Sequence, residues 1–517
     1  MNLKSILLVL SLAWRAFAYK ILLLAPIPIR SLNILGVGYV RHLINAGHEV
    51  TYVSAYPVKD ISSNNFRQVD LSDTHLNLIA EDDSLNISYL MSHPLDEDGE
   101  IEYLQISSVE VGIATFENKQ MLALLNDPSV TFDVVICDFV ESEIYAALAA
   151  YYDCPMIWEY SMGSHWQTLR LIDETTNPAY AFDYLTSDIP PHHSVGTRVK
   201  KVWSQIKWQF MKYKTLPLER GFYYEFFGPL MAKKNKPLPD YDALIYNASL
   251  VLSNDYVGNG RITSVPQNFK FIGGYHIETP TKPVPTEIKT ILDNAQHGFI
   301  YFSMGSLWRS KDIPEHVTKA LLDLFGSLKE TVMWKYEDKL LNVPKNVHIV
   351  PWAPQQTHPK CKFFISHGGL LSTLESIHFG VPTIGIPLYF DQFINVNRDV
   401  ISGRTVKVDF TLNLVEDLRL AIQKIRHPSY KQQAMELSQI YHDRPVSPGK
   451  ELVHWVEHVI KTGGAPHLRS PASMMPWYQK MFLDVVLYIV AVVSVFVYLV
   501  KKYQCTKKIV CSSKKLN

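Results

Sequence analysis

The chain has 517 residues and a mass of 59.1 kDa, too long for one ordinary domain and right for two or three. Hydrophobic residues make up 47% and charged residues 19%, which excludes a disordered chain, a coiled coil and a collagen-like repeat. Fifty Lys+Arg against fifty Asp+Glu leave no electrostatic footprint for nucleic acid, and five cysteines in this length exclude a disulfide scaffold.

At the N-terminus Lys4 precedes an apolar run from Ile6 to Trp14, followed by Ala16-Phe17-Ala18. A basic start, a short apolar core and a small-x-small site read as a signal peptide over residues 1–18, too short to span a bilayer. Ile21 to Leu24 then reads as an apolar strand, followed by a Pro-containing loop and a helical stretch to Ala46. Gly47 is its expected C-cap, and Glu49 to Ser54 an alternating strand. Gly36-Val37-Gly38 invites a dinucleotide reading that fails on detail. Arg41 stands where the third glycine belongs, and the glycines lie inside the helical stretch. Phe132 to Cys137 repeats the pattern as a strand leading into a helix over Glu143 to Tyr151. The aromatic stretch Trp203 to Phe227 fits core packing, with a pocket wall or a membrane-surface face as alternatives. A proline-dense stretch, Pro280 to Pro285, separates this half from a second strand-turn-helix series beginning at Phe299. Two doubly wound α/β domains facing a cleft are expected.

The second half holds the informative run. Phe302-Ser303-Met304-Gly305-Ser306 ends a strand in a small-residue turn, where backbone approaches a diphosphate. Trp352-Ala353-Pro354-Gln355 offers a flat ring for a base. Phe363 to Ile365 is a buried strand ending at Ser366, and His367-Gly368-Gly369 makes the turn into a helix through Glu375. Backbone N–H groups at that helix start, with the imidazole, form a site for a phosphate. Glu375, two turns on, is placed to accept from ribose hydroxyls, and Asp391-Gln392 pairs an acceptor with an amide, a set suited to sugar hydroxyls. Taken singly each has an ordinary reading as core, turn or cap.

Near the C-terminus Met481 to Val500 is twenty residues with one charge, Asp484, and Trp477 and Tyr478 stand just before it. At about 1.5 Å per residue that reaches roughly 30 Å, one hydrocarbon core. The last seventeen residues carry six lysines and no acid, which places the tail in the cytosol and the body in a lumen. Lys514-Lys515-Leu516-Asn517 looks like the dilysine retrieval signal of endoplasmic-reticulum membrane proteins. Asn86-Ile87-Ser88 and Asn247-Ala248-Ser249 are glycosylation acceptors consistent with that lumen. Cys137, Cys154 and Cys361 are read as buried thiols with no bridge.

In order, the run from Phe302 to Gln392 resembles the signature of the UDP-glycosyltransferases, the family of UDP-glucuronosyltransferases and their invertebrate relatives. Gly47-His48-Glu49-Val50-Thr51, Asn247-Ala248-Ser249-Leu250, Asp443-Arg444-Pro445 and Gly463-Gly464-Ala465-Pro466-His467-Leu468-Arg469 extend the resemblance over nearly the whole chain. His367-Gly368-Gly369-Leu370-Leu371-Ser372-Thr373 is similar to the arthropod branch. The resemblance implies two Rossmann-like domains of the GT-B type plus one C-terminal transmembrane helix. An acceptor-binding domain would occupy 19–278, a UDP-sugar domain 279–445, return helices and a juxtamembrane segment 446–476, the membrane helix 481–500 and the cytosolic tail 501–517. Trp352 would stack uracil with Gln355 beside it, and Glu375 would hold ribose. Ser303, Gly305, Ser306, His367 and Gly369 would take the diphosphate, and Asp391 and Gln392 the sugar. The expected reaction is inverting transfer of a hexose, most readily glucose, to a small lipophilic acceptor, with the UDP-sugar as co-substrate, no metal and no other cofactor. Homo- or hetero-oligomers with related transferases are expected partners.

Two departures matter. The family's general-base histidine follows the serine of the first loop, and an ungapped match from Ser31 to Gly47-His48 puts Leu32 in its place. Asp138 matches the aspartate that orients that histidine, so the pair is broken. An amine or an already ionised acceptor needs no such base; the alternative is a non-catalytic protein partnering active homologues. After Gln355-Gln356 only Thr357 precedes His358-Pro359-Lys360, where family members have about four residues, a shortening that would shift how Trp352 and Gln355 meet the uridine.

Overall fold

The computed structural model describes residues 18–80, 97–172, 177–181, 183, 189–191, 193–258, 264–277, 284–306, 312–350 and 360–513. Most of the signal peptide, Asn86, the prolines at 280 and 283, Trp352, Gln355 and the last four residues lie outside them.

Two parallel sheets organise the chain. The first contains β1 (Lys20–Ala25), β2 (Glu49–Ser54), β3 (Phe66–Asp70), β4 (Val134–Asp138), β5 (Met156–Tyr160), β6 (Leu250–Ser253) and β7 (Phe269–Phe271), in the order β3-β2-β1-β4-β5-β6-β7. The second contains β8 (Phe299–Ser303), β9 (Thr331–Lys335), β10 (Val347–Val350), β11 (Cys361–Ser366), β12 (Thr383–Gly385) and β13 (Thr405–Lys407), ordered β10-β9-β8-β11-β12-β13. Parallel strands need covered faces, and their sequences read accordingly as unbroken apolar runs such as Lys20-Ile-Leu-Leu-Leu-Ala25. Alternation then sorts the faces. Leu22, Leu24, Val135 and Cys137 pack on one side with Phe116 and Trp158, while Ile21, Leu23, Val134 and Ile136 pack on the other with Leu35, Tyr39 and Val40. The direction of winding reverses between β1 and β4 and again between β8 and β11, the crevices where such sheets place their ligands.

Helix limits follow local chemistry. The first helix, Arg30–Asn45, stops where Gly47 takes φ +93°, a left-handed conformation that glycine adopts without penalty. The expected strand at Phe132 begins at Val134 and runs one residue further, to Asp138. The helix expected from Glu143 starts with a 3₁₀ turn at Ile144–Ala146. Trp203 to Phe227 lies within one 39-residue helix, Val195–Lys233. Core packing holds for its Trp208, Tyr223 and Phe227, but Trp203, Phe210 and Tyr213 face solvent.

The chain then returns to the first sheet. In the helix Pro448–Lys461, Leu452, Val456 and Val459 join the cluster of Leu35, Tyr39 and Val40, and His48 Nε2 lies 3.2 Å from Glu457 Oε1. The last helix, Leu483–Ser513, includes Leu483–Gln504, apolar and long enough to cross a membrane and not buried against the rest of the protein. Asn247 is exposed, its carboxamide oxygen accepting from Arg469 at 2.7 Å.

Candidate active site

At the second switch point, Ser303 ending β8 and Ser366 ending β11 are register partners, so the turns that follow them lie side by side. Gly305 at φ +83° and Gly369 both lie against the Nε2–Cε1 edge of the His367 imidazole. A Cβ on Gly369 would lie 2.5 Å from His367 Nε2, and one on Gly305 would overlap the same ring. Only glycine permits that packing, and it leaves the backbone of both turns bare. Ser303 Oγ accepts from Gly305 N at 3.3 Å, and Lys335 Nζ donates to Gly305 O at 2.7 Å, fixing the first turn; Ser306 is half-buried beyond it. No side chain caps the helix Leu370–His378, so its first N–H groups stay available to an anion. Burial first, and the Lys335 charge second, push the His367 imidazole down to about 4, so it is neutral at physiological pH; its Nδ1 is buried without a hydrogen-bond partner among the described residues. A neutral imidazole beside a lysine and free amides can donate to phosphate oxygens without itself carrying charge.

Glu375 lies further along the same helix. Its Oε1 is 3.9 Å from Nε2 of His276, which belongs to the first half of the chain. Burial drives His276 down to about 3, so this is a carboxylate beside a neutral ring and not an ion pair. Asp391 opens the helix Asp391–Ile401 behind Phe390, which is held at φ +53°. Gln392 Oε1 accepts from Leu388 N at 2.9 Å and Tyr389 N at 3.2 Å, so its carbonyl fastens the turn. Asp391 Oδ2 accepts from Asn395 Nδ2 at 2.8 Å, and the same amide donates to Gly368 O at 3.1 Å, tying this turn to the histidine turn. Burial raises Asp391 to about 6. Arg398 continues the line, donating to Asn395 Oδ1 and to Asp255 Oδ2, each at 3.2 Å. Asp255 follows β6, so Asp391, Asn395, Arg398 and Asp255 form one polar chain between the halves.

At the first switch point Asp138 ends β4, 2% exposed, on the face covered by the helix Arg30–Asn45. Leu32 sits half-buried in the first turn of that helix. Beyond Asp138 the chain enters a charged network. Glu141 Oε2 accepts from Trp208 Nε1 at 3.0 Å and Gln167 Nε2 at 3.1 Å, Glu143 pairs with Arg170 and Lys212, and Lys212 Nζ donates to Glu219 at 2.7 Å. This network pins the long helix to the end of β4.

The family profile described as "UDP-glucoronosyl and UDP-glucosyl transferase" matches residues 23–516. The chain belongs to this family. UDP-glucosyltransferase 2 of Dactylopius coccus is 30% identical to it over 501 residues, covering 93% of this chain and 92% of the relative. UDP-glucuronosyltransferase 2B1 of Rattus norvegicus is 36% identical over 242 residues, 46% of this chain and 45% of its own. Among solved structures, the glycosyltransferase VinC in complex with dTDP superimposes with a TM-score of 0.53 at 17% identity, covering 86% of this chain and all of that one. The glycotransferase of kitacinnamycin gives 0.55 at 16% identity, covering 85% and 98%. Both are likenesses of fold, the GT-B arrangement of two Rossmann-like domains. The protein is therefore a UDP-glycosyltransferase with one C-terminal helix suited to a membrane anchor.

The structure brings Ser303, Gly305, Ser306, His367 and Gly369 to one place, and links Asp391 to them through Asn395 and Gly368. Asp138 stands apart, at the first switch point. Sequence reading missed Lys335, Asn395, Arg398 and Glu159. Asn395 and Arg398 follow Asp391 at i+4 and i+7, one helix face, which was a readable signal. Glu159 is the next-to-last residue of the apolar strand Met156–Tyr160, as Asp138 is the last of β4. Lys335 carried no local signal.

Proposed function

We propose that this UDP-glycosyltransferase moves a hexose, glucose in the first instance, from its UDP-sugar to a small lipophilic acceptor with inversion at the anomeric carbon. The observation that carries the reading is the glycine-flanked neutral His367 between the turns of β8 and β11, a diphosphate cradle built from backbone. In this reading Ser303, Gly305, Ser306, His367 and Gly369 hold the diphosphate, Glu375 the ribose, Asp391 and Gln392 the sugar, and Trp352 and Gln355 the uracil. The name of the Dactylopius relative, a glucosyltransferase, supports glucose. Leu32 cannot take a proton, which favours acceptors that need little help losing one: amines, carboxylic acids and acidic phenols. The leader, the dilysine tail and the apolar helix support a single-pass endoplasmic-reticulum protein with its catalytic body in the lumen. Leu32 and the shortened segment after Gln356 favour a second reading, a non-catalytic partner of active homologues.

Membranes carrying the protein, supplied with UDP-glucose and a panel of amines, acids, phenols and alcohols, decide between them by mass spectrometry of products. Glycosides of amines or acids are expected, and Leu32→His should extend the range to ordinary alcohols. No product from either protein would leave the non-catalytic reading standing.

A further inference from the structure

Two carboxyl groups lie together where the first sheet meets the helix Arg30–Asn45. Asp138 and Glu159 are register partners on β4 and β5, and their side chains share the face of Val134, Ile136 and Ile157. They are 2% and 5% exposed. The groups around them are Tyr39 from the helix, Tyr52 from β2, Tyr275 from the loop after β7, Cys137 on the opposite face of β4, and Tyr145 packed on that opposite face, every one a neutral acid. Tyr275 Oη donates to Glu159 Oε1 at 3.3 Å, and among the described residues no lysine, arginine or histidine is paired with either carboxyl.

Two adjacent ionised carboxylates in such surroundings would repel one another with no counter-charge, and neither Asp138 oxygen would have a donor. A single proton on Glu159, donated to Asp138, resolves both. Burial lifts Asp138 to about 6 while the Glu159 hydrogen bond restrains it; burial, then the Asp138 charge, lifts Glu159 well above the carboxylate range. Independently, the Tyr39 hydroxyl is fully buried beside both carboxyls with no hydrogen-bond partner, a polar group held in reserve at this spot.

We propose that Asp138 and Glu159 act as one carboxyl pair, in which Glu159 keeps a proton and donates it to Asp138, and ionised Asp138 takes up the acceptor's proton where an imidazole is missing. The proposal rests on the transfer reading above. The acceptor's lone pair bonds to the anomeric carbon as the bond from that carbon to the diphosphate oxygen breaks, its electron pair leaving on UDP. The proton lost by the acceptor ends on Asp138, and it passes to water after product departs. Glu159 is a positioning residue, acting only through Asp138.

The test compares Glu159→Gln, which keeps a donor but no titrating proton, with Glu159→Leu, which removes the donor, in the full-length protein in detergent. The acid limb of kcat/KM should move up by about one pH unit in the leucine protein, a loss of about tenfold on that limb, and by much less in the glutamine protein. Equal limbs in the two variants would overturn the pair. Melting temperature against pH reads the same pair without turnover. Glu159 has a folded pKa above its unfolded one, so the stability it contributes is present at low pH and lost as pH rises through the folded value. The wild-type curve should fall toward alkaline pH and the glutamine curve stay flatter. Equal slopes in an active protein sink the pair alone, whereas silence of the wild type toward every acceptor sinks the transfer reading and the proton step with it.

Discussion

The two sheets reach their switch points with opposite materials. Behind β8 and β11 the chain turns on Gly305, Gly368 and Gly369, and what is presented is backbone wrapped around one neutral imidazole. At the corresponding end of the first sheet, Asp138 closes β4 beside Glu159 of β5, and the chain after β4 runs on into Glu141 and Glu143, with Lys212 and Arg170 paired to Glu143. One end is defined by the absence of side chains, the other by charge buried among aromatic rings. Diphosphates look alike across donors and suit fixed amides, whereas acceptors differ in shape and in how they give up a proton. A side-chain-built end is the one that can change by substitution without disturbing the cradle.

That contrast makes ranked predictions. The largest effect belongs to the charged end. Lys212→Met leaves Glu143 and Glu219 buried without their shared cation, and unfolding free energy should drop by about 3–5 kcal/mol in denaturant titrations. Next comes Gly305→Val. It removes no charge, but its side chain overlaps His367 at a left-handed φ, so kcat/KM should fall about 100-fold, with loss of the melting shift given by UDP and an intrinsic stability loss of about 1–3 kcal/mol, smaller than that of the lysine change. If the valine protein unfolds while the methionine protein stays sound, the contrast is wrong. Asp391→Asn keeps the Asn395 contact in altered form and should cost about tenfold in kcat/KM for the UDP-sugar. The smallest effect is an expected absence of change. Burial keeps the His367 proton affinity low, so the folded ring stays neutral down to about pH 4; in the Asp391→Asn protein, which lacks the carboxyl that titrates at about 6, UDP-glucose affinity by calorimetry should be flat from pH 8 to 5.5. Tightening below pH 6.5 would mean that the ring is charged when it meets phosphate.

Much of this is legible in the amino-acid sequence. Apolar runs capped by small or acidic residues announced β1, β4, β8 and β11, and the order Ser306, His367, Glu375, Asp391 carried the region of the second switch point because its residues lie close together along the chain. The first switch point was less legible. Asp138 and Glu159 are neighbours only through strand register, and Tyr39 and Tyr275 reach them from segments more than a hundred residues from Glu159. The same holds for His276 against Glu375 and for Asp255 against Arg398, contacts between halves that no local spacing encodes. The aromatic stretch from Trp203 misled in part, because a single long helix buries one side of itself and exposes Trp203, Phe210 and Tyr213 on the other.

The return of the helix Pro448–Lys461 to the first sheet has a consequence for synthesis. Leu452, Val456 and Val459 complete the cover over Leu35, Tyr39 and Val40, so the N-terminal half is not a contiguous piece of chain. Its last strand leaves the ribosome about 180 residues before that helix, a delay of about 10–40 s at ordinary elongation rates. For that interval the nascent half carries an open apolar face. It is the stage at which a chaperone is needed, and a premature stop after β13 would leave that face open for good.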